Sequence, residues 1–308
     1  MKKRILSILL TICMLLCLVP TAVSAANGPM DTIPKYDVSI DVYNRTSDIT
    51  IKDKRSYYIY SSVPDKLRDT WVWDKKIFIK GDKAAPHVFI DGVNIKMSPD
   101  SKGPAIELNK KASAYLYFIG RDSSLEGAGD RAAIQKNRSE GQLYVLARTG
   151  TTVTCKGGYR AAGIGGSYAT RNIGTPSFNM DMYGHGVNMH FGSQSNPDYW
   201  GGTINATGGV NGAGIGAGCY GYSGNAIHGG AGERLYFYSG TVNARGGRLA
   251  AGIGGGFRGR GSISISMAAI STRKAGQPAR ASAAAAGRRN RTSTESTRRA
   301  ISLSPADG

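Results

Sequence analysis

Three stretches of this chain align without a gap. They are Thr152-Val153-Thr154-Cys155-Lys156-Gly157-Gly158 running to Gly163-Ile164-Gly165, Thr203-Ile204-Asn205-Ala206-Thr207-Gly208-Gly209 running to Gly214-Ile215-Gly216, and Thr241-Val242-Asn243-Ala244-Arg245-Gly246-Gly247 running to Gly252-Ile253-Gly254. Each copy opens with alternating polarity, so Val153 and Cys155, Ile204 and Ala206, or Val242 and Ala244 share one side of a strand. The glycine pair that follows permits a sharp bend, and Ala-Gly-Ile-Gly then sends one isoleucine inward between glycines that allow close backbone approach. One copy reads as strand, corner and short strand. A unit this small cannot bury its own apolar face, so copies must stack as a solenoid. The longer gap from Ala162 to Ala213 calls for an insertion.

The chain before the copies consists of short alternating runs, among them Val38-Ser39-Ile40-Asp41-Val42, Tyr57-Tyr58-Ile59-Tyr60, Val88-Phe89-Ile90 and Tyr115-Leu116-Tyr117-Phe118. Turn residues such as Pro64-Asp65 and Gly81-Asp82 separate them, and no window keeps a helical period. Ala105-Ile106-Glu107-Leu108 and Ala132-Ala133-Ile134-Gln135 read as degenerate forms of Ala-Gly-Ile-Gly, so coils begin ahead of the glycine-rich part. The expected fold class is all-β, a parallel β-helix with a disordered C-terminal tail, and the crossover rule makes it right-handed. Residues 26–55 are the expected leader and N-terminal cap, and 56–266 the β-helix.

Met1–Ala25 has the form of an export signal: Lys2, Lys3 and Arg4, an apolar Ile5–Leu18, and the small-residue cleavage site Val23-Ser24-Ala25. The apolar run is short for a membrane span, so the expectation is a secreted, extracellular or cell-surface protein with no transmembrane segment after cleavage. Cys13 and Cys17 leave with the signal. Cys155 occupies the slot of Ala206 and Ala244, which marks a small core residue, although export would permit a bridge to Cys219.

The formal charge of +18 is unevenly spread. Met1–Ala25 carries three basic residues, and Met267–Gly308 eight basic and two acidic, leaving 28 basic and 19 acidic between them. With no basic run interleaved with aromatics, nucleic acid is not the expected partner. Anionic cell-wall polymer or another polysaccharide suits a moderately basic exported surface better.

Val88–Ile95, Leu116–Gly127 and the later glycine-rich copies resemble exported β-helical repeat proteins of Gram-positive gut bacteria, often labelled carbohydrate-binding-domain proteins. The resemblance covers roughly Asp48–Gly256. It implies the architecture and a carbohydrate-binding role, and it brings no ligand residues with it.

After Ser262-Ile263-Ser264-Ile265-Ser266 the composition changes abruptly. The codon of Met267 ends in G and that of Ala268 begins with GC, so the frame starting on that G must read glycine. Through Ala285 the same frame permits Gly-Gly-Asn-Ile-Asn-Ala-Gln-Gly-Gly-Thr-Ala-Gly-Ala-Gly-Ile-Gly-Gly-Gly, a fourth repeat. The expectation is that Met267–Gly308 is an out-of-frame, disordered tail and that the last coil ends uncapped near Ser266. A genuine basic Ser/Ala/Arg tail is the alternative.

Catalytic signals are sparse. Gly214-Ile215-Gly216-Ala217-Gly218 lacks the strand-to-helix context of a nucleotide loop. The insertion Tyr168–Trp200 holds Asp181, His185, His190 and Asp198 without metal-ligand spacing, and no cofactor is expected. A β-helical polysaccharide lyase or glycoside hydrolase would need gathered carboxylates, whereas Asp91, Glu107, Asp122, Glu126 and Asp130 are scattered over several coils. Aromatic side chains give the better lead, since sugars stack on flat rings: Trp71, Trp73, Tyr199, Trp200, Tyr220 and Tyr222 are the candidate glycan contacts. The favoured reading is a noncatalytic surface or matrix module that touches carbohydrate. An enzyme and a purely structural stalk are the alternatives.

Overall fold

The computed structural model describes residues 34–100, 103–109, 111–136, 140–171, 184–222, 227–259, 261–265 and 270–273. The expected export signal, Asp181 and most of the tail lie outside them. The fold is a parallel β-helix in which the chain visits three long sheets in rotation. One coil, for instance, runs Leu143–Ala147, then Thr152–Lys156, then Ile164–Gly165. We call the eight-, seven- and six-stranded sheets A, B and C, so these three strands belong to A, C and B. Among the described residues no helix is long and apolar enough to cross a membrane.

Inward side chains set the register. In sheet B a single column runs Ile49, Ile77, Ile106, Ile134, Ile164, Ile215 and Ile253, each opposite the next. All are buried. Removing such a side chain from water is worth about 1.5–3 kcal/mol, and a one-residue slip would turn the whole column outward. The three aligned copies form consecutive coils, with Val153, Ile204 and Val242 in one inward row and Cys155, Ala206 and Ala244 in the next. Cys155 is a free, fully buried core residue, and Cys219, at the start of the strand Cys219–Tyr222, is free and buried as well.

The Cys155 row explains Trp73. Followed toward the N-terminus it continues through Leu125 and Ile95 to Trp73, which pairs with Ile95 as an isolated bridge. Trp73 is 3% exposed, and its indole Nε1 donates to the Arg45 carbonyl at 2.8 Å. It fills the first slot of an inward row instead of offering a ring to ligand. That row shrinks from tryptophan to alanine along the solenoid. Sheet A compensates, placing Phe191 and Phe237 in the late coils with ring centroids 4.8 Å apart. Close packing demands such an exchange of volume between facing walls.

Two glycine devices close the late coils. At the corner after sheet C, Gly158, Gly209 and Gly247 stack so tightly that a Cβ on Gly209 would lie 1.8 Å from the Gly158 carbonyl oxygen. After sheet B, Gly165, Gly216 and Gly254 adopt φ near +125° (127°, 128° and 123°), a region that side chains disfavour. Here the chain pinches into necks: Gly218 N–H donates to Gly184 O at 2.8 Å, and Gly230 N–H to Gly218 O at 3.0 Å. Loops leave and return through these necks, and above them Ala169–Arg171, Cys219–Tyr222 and Ile227–Gly229 form a small fourth sheet.

Two boundaries differ from expectation. Val38–Asp41 and Ile49–Ile51, within the expected leader and cap, already supply the first strands of sheets A and B. Of the tail, Ile270–Arg273 continue sheet C opposite Val242–Arg245, so the coil runs past Ser266. The insertion Tyr168–Trp200 is also not all loop, because Gly186–Phe191 is a full strand of sheet A.

Candidate functional site

The outward side of sheet A carries the molecule's main aromatic surface. Its strands alternate, so the residues between the buried ones face away from the core: His87, Tyr115, Tyr144, His190 and Tyr236. Parallel pairing without register slip stacks them one per coil. Ring centroids are separated by 4.6, 4.4, 4.4 and 4.7 Å in that order, with interplanar angles between 3° and 16°. All five are half-buried.

Beside this ladder lies a second column, Tyr58, Phe89 and Tyr117, which packs with Ile119, Tyr60 and Trp200. Each ladder histidine is bonded to a tyrosine hydroxyl two residues past its strand partner in the next coil. His87 Nδ1 meets the Tyr117 hydroxyl at 3.0 Å, and His190 Nδ1 meets the Tyr238 hydroxyl at 2.9 Å. Burial pushes both histidines below their ordinary value, which favours neutral imidazoles. Burial, assisted by neighbouring Tyr115, pushes the Tyr117 phenol up to about 12. The face is therefore uncharged along its ladder and rich in hydroxyl and imidazole groups.

Tyr199 and Trp200 complete one border. Trp200 lies 5.2 Å from Tyr117, and Tyr199 stands edge-on to Trp200 at 4.7 Å and 88°. Neighbouring coils hold their backbone from both sides: Thr149 N–H donates to Tyr199 O at 2.9 Å, and Ser239 Oγ donates to Trp200 O at 2.7 Å. Both rings are half-buried, and their backbone positions are fixed before any ligand arrives.

The other expected contacts are elsewhere. Tyr220 stacks on His228 at 5.3 Å in the small sheet above the necks, where Tyr222 is a strand residue. These enter the coil between sheets B and A, whereas Tyr199–Trp200 lie between A and C. Trp71 packs edge-on to Tyr43 at 5.4 Å and against the core at the N-terminal end, on the side Trp73 also faces. The six residues thus fall into three places.

The scattered carboxylates each have a partner from an adjoining coil. Asp91 accepts from Tyr58 Oη at 2.8 Å, Arg121 N at 3.0 Å and Arg121 Nε at 2.9 Å. Burial alone would raise its carboxyl, and these bonds overcome that to hold it below the ordinary value. Glu107 pairs with Lys76 and Glu126 with Lys156, both at 2.7 Å; Asp130 pairs with Arg160, and Asp122 accepts from Thr152 N at 2.7 Å. They tie coil to coil. His185 and His190 likewise serve different partners, His185 Nδ1 accepting from Ala231 N at 3.0 Å. Among the described residues no three His, Cys, Asp or Glu side chains gather as metal ligands.

Sequence reasoning missed the ladder itself. Its signal is a recurring dipeptide, His87-Val88, Tyr115-Leu116, Tyr144-Val145, His190-Phe191 and Tyr236-Phe237, in which a half-exposed ring precedes a core residue. Set beside known proteins, the chain matches no family model, no curated protein and no solved structure.

Proposed function

We propose that this is an exported, noncatalytic surface or matrix module that holds polysaccharide against the outer side of sheet A. The supporting observation is the continuous ring ladder from His87 to Tyr236, bordered by the fixed Tyr199–Trp200 pair. Within the ladder each ring covers its neighbours' faces, so the ladder offers ring edges and hydroxyls to solvent. Ring stacking against a sugar therefore falls to Tyr199 and Trp200, while the ladder supplies hydrogen bonds in a row along the solenoid axis.

Affinity electrophoresis of the full chain through gels containing neutral or acidic polysaccharides tests this. A binding polymer retards the protein, and Trp200→Ala weakens retardation about tenfold, near 1.4 kcal/mol. Tyr220→Ala, on the other edge, leaves retardation unchanged. Absence of retardation by every polymer would leave the ladder as a stacking device and the protein as a structural stalk.

A further inference from the structure

Among the described residues the C-terminal end of the solenoid is open. Sheet A ends on Gly261–Ile265, sheet C on Ile270–Arg273, and sheet B one strand earlier, on Ile253–Gly254, among the described residues. Such an edge presents unpaired N–H and C=O groups and accepts another strand. The pairing of Ile270 with Val242 fixes the offset at which a next coil would lie on the present one.

The residues this chain supplies at that offset cannot build the coil. Counted along the sequence from the Arg245–Arg273 pair, the positions due opposite Gly246 and Gly247 are Lys274 and Ala275. In the corners below, a Cβ on Gly209 would stand 1.8 Å from the Gly158 oxygen, and one on Gly247 would stand 1.9 Å from the Gly209 oxygen. An alanine at that offset would carry a Cβ into the same stack. By the same count the positions due opposite Ile253 and Gly254 are Ala281 and Ser282, where the sheet B column calls for an isoleucine.

We propose that the intended occupant of this open end is the coil written in the alternate reading frame of codons 267–285. With the codons that the amino-acid sequence permits, and at the single offset fixed by Ile270, that frame places Ile opposite Val242 and Ala opposite Ala244. It places Gly-Gly opposite Gly246-Gly247 and Ile-Gly opposite Ile253-Gly254. It also puts Asn opposite Asn243, extending the side-chain bond in which Asn243 Nδ2 donates to Asn205 Oδ1 at 2.9 Å. Strand, corner and closing strand satisfy three separate structural demands at once.

Nucleotide sequencing of codons 266–285 is the first test. The proposal requires ATA for Ile270, TCA for Ser271, ACG for Thr272 and AAG for Lys274. Any other base at the third position of Ile270 removes the alternate-frame isoleucine and overturns it. The second test compares the full chain with a version in which the alternate-frame peptide replaces Met267–Ala284. The expected result is a thermal midpoint higher by at least roughly 2–4 °C and weaker self-association at the covered edge. An unchanged or lower midpoint would overturn the docking part even if the codons agree. Neither outcome depends on glycan binding.

Discussion

The early and late coils close the same three-sided cross-section by different means. In the early coils each sheet B strand buries two side chains, Ile49 and Ile51, Ile77 and Ile79, Ile106 and Leu108, and sheet C adds Ile95 and Leu125. In the late coils sheet B is reduced to one isoleucine and one glycine, the row of sheet C that held Ile95 and Leu125 narrows to cysteine or alanine beside Val153, Ile204 and Val242, and backbone packs on backbone at the corners. A side-chain-filled interior can relax around a lost methyl group. A backbone-packed corner has no rotamer to adjust, so the late coils depend on the absence of atoms as much as the early ones depend on their presence.

Substitutions separate the two modes. Gly209→Ala drives a Cβ into the Gly158 carbonyl, and the expected loss is the largest, above about 4 kcal/mol. Gly150→Ala provides the contrast, since φ is +85° there with no atom within 4 Å of the new Cβ. Its cost is limited to backbone strain of about 1–2 kcal/mol. Denaturant unfolding of both variants checks this, and equal losses would erase the distinction. Next in size, Ile106→Ala in the early coils should cost about 2–5 kcal/mol. Ile253→Ala, at the open end and 7% exposed, should cost less.

The smallest effect is the pH response of the ladder. His87 and His190 are both held below 6.5 in the folded protein by burial, so the unfolded chain takes up protons first as pH falls. Their contribution is complete above about pH 6.5 and is lost as pH drops through the lowered folded values. Asp91 acts lower, its contribution present above 3.8 and lost as pH falls beneath it. Thermal midpoints followed from about pH 7.5 to 5.5 should fall less for His190→Phe than for the parent. Identical slopes would show that the buried imidazole is not what responds.

The late coils were legible in the sequence because glycine is conspicuous and its spacing repeats. Thr152–Lys156, Thr203–Thr207 and Thr241–Arg245 are strands, each followed by a short Ile-Gly strand, as the alignment requires. Ile106 and Ile134 join the same column despite their degenerate surroundings. The aromatic face was not legible, since its neighbours are far apart in sequence and meet only when the strands align. Trp73 misled for a related reason: aromatic type does not tell which wall of a coil a side chain faces, and only its pairing with Ile95 does.

The necks have a consequence for how such a molecule can vary. Where Gly218 meets Gly184 and Gly230, the path between sheets B and A is completed by the backbone at the base of each excursion. The excursion behaves as a cassette: its length and content can be exchanged while the isoleucine below it keeps count of the coils. The rim can then change in sequence without renegotiating the scaffold.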